Sequence, residues 1–167
     1  MRSILNKIAV IIGVLLLCGC SLLPNKTQDA DDRYFYLIDM LNEHETFSDA
    51  SRYFAIEVEM AKIENGYRYY IIIDDPQLAM YDIELIAIEK DVDYTEKMAA
   101  NIGIFEDTQY NMIPNQSNVE DGYVKGLVAS GVSSKAETTL YIFVQFKNSD
   151  YSIVHNEYFA IDCRYEG

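Results

Sequence analysis

Few side chains in this sequence could act as general bases or zinc ligands. Only two histidines are present, His44 and His155, and neither lies at a ligand spacing that zinc sites use. No Gly-x-Ser-x-Gly sequence and no glycine-rich phosphate loop occurs. Glu43 and Glu45 flank His44 and could form a histidine–carboxylate site with it, but three exposed polar residues of a helix explain the pattern better. We therefore predict no catalytic residue and interpret the protein as a non-enzyme.

Acidic pairs at turn positions raise the alternative of calcium binding, because hard cations prefer carboxylate and carbonyl oxygens. None of the pairs matches the twelve-residue EF-hand loop, and the turn propensity of aspartate accounts for them without a ligand. Paired carboxylates of a glycosidase are a three-dimensional feature that spacing alone does not reveal. We predict no metal and no cofactor. The pairs are Asp74 with Asp75, Asp91 with Asp93, and Glu120 with Asp121.

The amino-terminal segment has the layout of a secretory signal: Arg2 and Lys7 precede an apolar run over residues 8–17. The following Leu17-Cys18-Gly19-Cys20 resembles the lipobox of bacterial lipoproteins, although Cys18 stands where Ala, Ser, Thr or Val is more usual. This resemblance implies a signal peptide over residues 1–19, cleavage after Gly19, and a diacylglycerol thioether on Cys20. The alternative is an ordinary signal peptide or a short signal anchor.

Removal of residues 1–19 would leave about 148 residues, with 11 basic and 27 acidic side chains. A net charge of 16 negative argues against nucleic acid as a partner. With Cys20 lipidated, Cys163 would be the only free thiol, so no intramolecular disulfide could form. Its alternating apolar surroundings predict a small buried hydrophobe. We expect residues 20–32 to be a lipidated, polar tether and residues 33–167 to form a single domain.

Hydrophobic spacing predicts a helix over residues 33–44 and β-structure over most of the remaining chain. Asn65-Gly66 between two alternating runs predicts a hairpin, and Asp93 with Glu96 has capping-box spacing, which predicts a short helix over residues 94–101. The predicted strands cover residues 54–60, 67–73, 80–89, 103–106, 109–113, 122–130, 138–147, 151–154 and 158–165.

This spacing of short strands and turns is typical of an antiparallel two-sheet β-sandwich with an immunoglobulin-like layout, although a small barrel is an alternative. Fourteen tyrosines support a strand-rich fold. Alternation directs Tyr69, Tyr141 and Phe143 away from the more apolar strand faces. We interpret these three as a possible interaction face, while a covering layer that buries them is the competing interpretation.

These features together predict a lipid-anchored binding or assembly module on the extracytoplasmic face of a bacterial cell membrane. Its partners would be the membrane, through the anchor, and another envelope protein or a surface polymer. The alternative is an envelope-associated hydrolase or an enzyme inhibitor, with a site built on loops such as residues 113–122. A solute-binding lipoprotein is a weaker alternative, because such proteins usually need two larger α/β lobes.

Overall fold

The structure is a computed structural model that describes residues 26–116, 118 and 122–167, with side chains from residue 29 onward. The predicted cleavage site at Gly19 and lipidation site at Cys20 lie outside this part of the chain. The described residues contain one helix, α1 (Lys26–Glu43), and seven strands. The strands are β1 (Ala55–Ile63), β2 (Gly66–Asp74), β3 (Tyr81–Ile88), β4 (Ala100–Ile102), β5 (Gly126–Ser133), β6 (Glu137–Lys147) and β7 (Val154–Arg164).

The strands form two sheets in which all named neighbours are antiparallel. One sheet has three strands in the order β1-β2-β5, and the other has four strands in the order β4-β3-β6-β7. The prediction of a mainly β protein is confirmed in this respect: two antiparallel sheets and one helix account for the regular structure described.

The hairpin predicted from Asn65-Gly66 joins β1 to β2. Ile63 pairs with Gly66, so the two residues of the connection are Glu64 and Asn65. Gly66 has a φ of 125°, and a Cβ atom at this position would lie 2.6 Å from the carbonyl oxygen of Ser133. Only glycine satisfies both conditions without strain, which explains why this residue starts the return strand.

A common hydrophobic core joins inward-facing side chains of both sheets. Tyr69, Ile71 and Ile73 of β2 belong to the same buried cluster as alternate residues of β3 and β6. The residues that alternation in β1 places on one face, Ile56, Val58 and Met60, pack at the margin of this cluster. The period of two therefore predicted the inner face of β1 correctly.

The helix covers the outer face of the four-stranded sheet. Its apolar residues form a second buried cluster with Ile86 and Ile88 of β3 and with Phe143 of β6. At its amino-terminal half, Arg33 forms an ion pair with Glu84, with 2.7 Å between Nη2 and Oε2. The helical residues of the cluster, spaced three and four apart, are Tyr34, Leu37, Ile38 and Leu41.

The helix predicted over residues 33–44 corresponds to α1, which begins seven residues earlier, at Lys26. The segment predicted to be a tether, residues 20–32, therefore overlaps the helix from Lys26 onward. No glycine or proline interrupts residues 25–43, and Asp29 in the first turn interacts favourably with the helix dipole. In the described part of the chain, no helix is both long and apolar enough to cross a membrane.

The helix predicted over residues 94–101 is wrong. Instead of capping a helix, Asp93 accepts a hydrogen bond from the backbone N–H of Thr95 at 2.8 Å, which forms a local turn. Tyr94 is then buried, and the short strand β4 starts at Ala100. The side chain of Asp93 therefore stabilises a local turn, and the helix that the capping-box spacing predicted does not form.

Three strand predictions are corrected. Residues 109–113, predicted to be a strand, form only isolated bridges at residues 111–113. Residues 103–106 form a bend rather than a strand, because Gly103 leaves β4 with a φ of 78°. The predicted strands over residues 151–154 and 158–165 are one continuous strand, β7, which pairs with β6 over its whole length. The polar residues Asn156 and Glu157 predicted a break between two strands. Both nevertheless pair with residues of β6, so the strand continues through them.

Candidate functional site

The possible interaction face predicted from alternation is not exposed as a unit. Tyr69 is fully buried in the core between the sheets, and Phe143 is 2% exposed beneath the helix. Their predicted exposure is wrong: Tyr69 lies on the inner face of β2 with Ile71 and Ile73, and Phe143 lies on a face of β6 that the helix covers. Tyr141 is partly exposed, and its ring lies 5.0 Å from that of Phe47 and 4.4 Å from the ammonium group of Lys90.

The two histidines are packed against aromatic rings. The imidazole of His44 stacks on Tyr158 with 3.7 Å between ring centroids, and that of His155 stacks on Phe146 at 4.7 Å. The two rings contact different aromatic partners and form no common site. This arrangement gives both histidines a packing role in the described structure.

The acidic pairs do not converge on a common centre. Within residues 26–116, 118 and 122–167, no group of three or more His, Cys, Asp or Glu side chains is placed to hold a metal ion. Asp75 and Asp91 have positive φ angles of 45° and 67°, a conformation that aspartate tolerates in turns. Glu120 and Asp121 lie outside the described residues.

The most deeply buried charged side chain that the structure describes is Glu89, which is 3% exposed. It follows β3 directly and accepts hydrogen bonds at Oε2 from the hydroxyl groups of Ser133, at 2.8 Å, and Thr138, at 2.9 Å. The ammonium group of Lys97 lies 3.7 Å from Oε1. Because Ser133 belongs to β5 and Thr138 to β6, this carboxylate connects the two sheets at one end of the core.

Two tyrosine hydroxyl groups belong to the surroundings of this carboxylate. The hydroxyl oxygen of Tyr94 accepts a hydrogen bond from the backbone N–H of Glu89 at 2.7 Å. Burial raises the pKa of Tyr94 to about 12, and burial with the nearby negative charge of Glu89 raises the pKa of Tyr69 further. Both phenols therefore stay protonated at neutral pH and act as neutral polar groups.

Two buried polar atoms of this region, the hydroxyl oxygen of Tyr69 and Oε1 of Glu89, make no hydrogen bond of ordinary geometry with the described residues. Buried polar groups are nearly always satisfied by protein or by ordered water. The ring of Tyr69 lies over Gly131 on the neighbouring strand, where a Cβ atom would be 2.2 Å from the phenolic oxygen. The glycine therefore provides the space that this tyrosine occupies.

Cys163 lies close to this polar region and donates a hydrogen bond from Sγ to the carbonyl oxygen of Thr138 at 3.5 Å. Burial, with the charges of Glu89 and Asp162, raises the pKa of the Cys163 thiol to about 11. The thiolate is the nucleophilic form, so this cysteine is unreactive at neutral pH. The prediction that Cys163 is a small buried hydrophobe is confirmed by its 5% exposure.

A groove of about 700 Å³ opens beside Cys163, between the edge strands β1 and β7. Its apolar floor is small, and its rim is mostly acidic, so its electrostatic potential favours cationic groups. Its chemistry is electrostatic rather than nucleophilic, because the thiol remains protonated. The groove is lined by Val58, Met60 and Cys163, and by the charged residues Glu59, Glu137, Asp162, Arg164 and Glu166.

The sequence pattern did not single out Glu89 as a site residue. It stands at the end of an alternating strand, followed by Lys90 and Asp91, where a solvated glutamate is the ordinary expectation. Its hydrogen-bonding partners lie 44 and 49 residues away in the sequence. No local signal could have identified them.

Comparisons with protein-family models, with curated proteins and with solved structures gave no match to this chain.

Proposed function

We propose that the chain is a lipid-anchored, non-catalytic binding or assembly module on the extracytoplasmic face of a bacterial cell membrane. The observation that carries this proposal is the sequence Leu17-Cys18-Gly19-Cys20 after a charged and then apolar segment. Cleavage after Gly19 would make Cys20 the first residue, and two or more acyl chains would give lasting attachment. The partner would be another envelope protein or a surface polymer.

The short separation between the proposed anchor and the helix supports a module held close to the bilayer. Five residues separate Cys20 from Lys26, where α1 begins. Six chain steps span at most about 21 Å when fully extended. The domain would therefore act within a short distance of the membrane surface, where partners in the same membrane are accessible.

The roles of the candidate catalytic side chains support a binding module rather than an enzyme. Both histidines stack on aromatic rings, and Glu89 holds hydroxyl groups of two strands. Cys163 is held in its protonated form. Each group has an evident structural task, and none combines with a nucleophile and an orienting group as catalysis requires.

The strand order supports an immunoglobulin-like sandwich as the architecture of this module. Seven-stranded immunoglobulin domains pair strands 1-2-5-4 in one sheet and 3-6-7 in the other. The order here, 1-2-5 and 4-3-6-7, differs only in the sheet to which the fourth strand belongs. Such sandwiches commonly serve as recognition modules, an association that rests on fold alone.

Metabolic labelling with a radioactive fatty acid in a bacterial host tests the anchor. We expect label on the unsubstituted chain and on the Cys18→Ala variant, which is the matched control, and none on Cys20→Ala. Label that persists on Cys20→Ala, or an unlabelled wild-type chain, would contradict the proposed anchor.

Crosslinking in intact cells tests the binding role. We expect a specific envelope component to be recovered with the anchored chain and to be lost for the Cys20→Ala variant. Failure to recover any partner, together with measurable hydrolysis of peptidoglycan, ester or phosphoester substrates, would overturn the non-catalytic proposal.

A further inference from the structure

The two sheets have four edge strands, and three of these edges are protected from pairing with another chain. Strand β1 carries Glu57, Glu59 and Lys62, and β4 is only three residues long. Strand β7 is partly covered, because Ser48 exchanges backbone hydrogen bonds with Tyr158 and Ala160 at 2.9 and 3.1 Å. Charge, short length and a covering segment are three usual means of preventing edge-to-edge association.

The fourth edge, β5, is neither charged nor short, and β2 is the only element that hydrogen-bonds along it in the part of the chain that the structure describes, although β4 of the other sheet lies beside it. Its eight residues, Gly126 to Ser133, include no charged side chain and no proline. The only strand paired with it along the described chain is β2. Val128 is 57% exposed, and Ser130 is exposed as well. An uncharged edge of this length is suited to accept a further strand.

We propose that β5 is a homodimerisation edge, which pairs with β5 of a second copy about a two-fold axis at Ser130. The two three-stranded sheets would then form one continuous six-stranded antiparallel sheet. The interface is isologous, so a residue of one copy that meets a second residue of the other copy is matched by the reciprocal contact. This inference is independent of the lipid anchor.

The sequence of β5 fits pairing with itself. Residues on one face of a strand have the same parity, so an antiparallel pair centred on Ser130 places Val128 opposite Val132 of the other copy. The neighbouring residues, Ala129 and Gly131, would also meet across the axis. The segment Val-Ala-Ser-Gly-Val is thus almost symmetric in size and branching. Opposed β-branched pairs and opposed serines stabilise antiparallel sheets.

The distribution of charge makes the β5 edge a more favourable place for two copies to meet than the rest of the acidic surface. The chain carries a net charge of −14, so two copies repel each other across most surfaces. The strand β5 is uncharged, and near the proposed axis its outward-facing neighbours on β2 are the uncharged Tyr70, opposite Ser130, and Ile72, opposite Val128. The charged residues of this face of β2, Arg68 and Asp74, lie opposite Val132 and Gly126, farther from the axis. The two copies can therefore approach here without placing acidic groups opposite each other.

Sedimentation of the full-length chain in non-ionic detergent, at concentrations up to about 100 µM, tests the proposal. We expect a monomer–dimer equilibrium for the unsubstituted chain. Ser130→Lys places two ammonium groups opposite each other and should raise the dimer dissociation constant at least about tenfold. Ser130→Thr keeps the hydroxyl group and adds a β-branch, which strands favour, and should preserve dimers.

The matched control is Ala61→Lys, because Ala61 is exposed on the same outer face but lies on β1, the opposite edge of the same sheet. It should dimerise like the unsubstituted chain. Circular dichroism melting confirms that both lysine variants are folded. A monomer at every concentration, or a Ser130→Lys dimer as stable as that of the control, would overturn the proposal.

Disulfide trapping locates the interface directly. Under mild oxidation, Ser130→Cys should form a covalent dimer in excess of the background from Cys18, Cys20 and Cys163, and Ala61→Cys should not. Equal crosslinking of the two variants would place the contact elsewhere and contradict pairing through β5.

Discussion

Glu89 is the residue in the described structure whose environment departs most from its usual one. A buried carboxylate is destabilising unless hydrogen bonds and an opposite charge compensate for the lost hydration. Ser133, Thr138 and Lys97 supply these interactions from three different segments. The residue therefore holds the ends of β3, β5 and β6 together, and its contribution can be measured by substitution.

Replacing Glu89 with alanine should lower the free energy of unfolding by about 3 kcal/mol, because the change leaves the buried hydroxyl group of Ser133, the partly buried hydroxyl group of Thr138 and the ammonium group of Lys97 without their acceptor. Glu89→Gln retains one acceptor oxygen and should cost about 1 kcal/mol. Urea denaturation at pH 7 measures both values. Glu137→Ala, which removes an exposed acid nearby, is the control and should stay within about 0.5 kcal/mol. A Glu89→Ala variant as stable as this control would show that the network contributes nothing.

Gly131→Ala should destabilise the protein by about 2 kcal/mol, because the added methyl group meets the phenol of Tyr69. The same substitution in a Tyr69→Leu background should be much less costly, since the leucine side chain ends before the region of overlap. A double-mutant cycle from thermal or urea unfolding measures this coupling. Additive effects of the two substitutions would contradict the steric explanation.

At the scale of elements, β3 and β6 are buried on both faces. Ile83, Leu85 and Ala87 face the core between the sheets, while Ile86 and Ile88 face α1. A strand buried on both faces reads as a continuous apolar run rather than a clean alternation. The helix is therefore a structural layer, and its apolar stripe should contribute to stability as a core does.

Leu37→Ala should lower the free energy of unfolding by about 3 kcal/mol, because Leu37 is fully buried between α1 and the sheet. Tyr36→Ala, one position earlier and 59% exposed, should change it by less than about 0.5 kcal/mol. Chemical denaturation of both variants tests this contrast. Similar losses for the two substitutions would mean that the helix does not pack through this face.

At the scale of the whole molecule, buried phenol and thiol groups make the stability of the fold sensitive to high pH. Burial raises the pKa of Tyr34, Tyr69 and Tyr94 above the ordinary value of 10.0, and that of Cys163 above 9.0. The folded state therefore holds these protons in a range where the unfolded chain releases them. Stability falls with pH wherever the folded state binds more protons.

Below pH 9 we expect these groups to contribute fully to stability. The midpoint temperature of thermal unfolding should then fall as the pH rises from 9 to 11, which is the interval between the ordinary and the raised pKa of Cys163. Thermal unfolding at a series of pH values measures the trend. Cys163→Ala should flatten the curve between pH 9 and 10, before the tyrosines ionise in the unfolded chain. An unchanged slope in this variant would contradict the raised thiol pKa.

Strand positions and the β1–β2 hairpin were predictable because they depend on local features. Alternation in β1 and β6 and the Asn65-Gly66 pair act within a few residues, and the structure contains the expected strands. The helix over residues 94–101 failed for a local reason too: Asp93 bonds to Thr95 at close range. Of the predicted functional residues, Cys20 remains a prediction from its resemblance to a lipobox.

Alternation separates the two faces of a strand, but it does not state what covers either face. For this reason the sequence indicated a mainly β chain, its acidic charge and most of its strands, yet it placed Tyr69 and Phe143 on a presumed outer surface. Their burial depends on a second sheet and on α1, which are distant in sequence. The same holds for the partners of Glu89 and for the exposed edge of β5, because long-range packing decides which polar groups are enclosed and which strand is left at an edge.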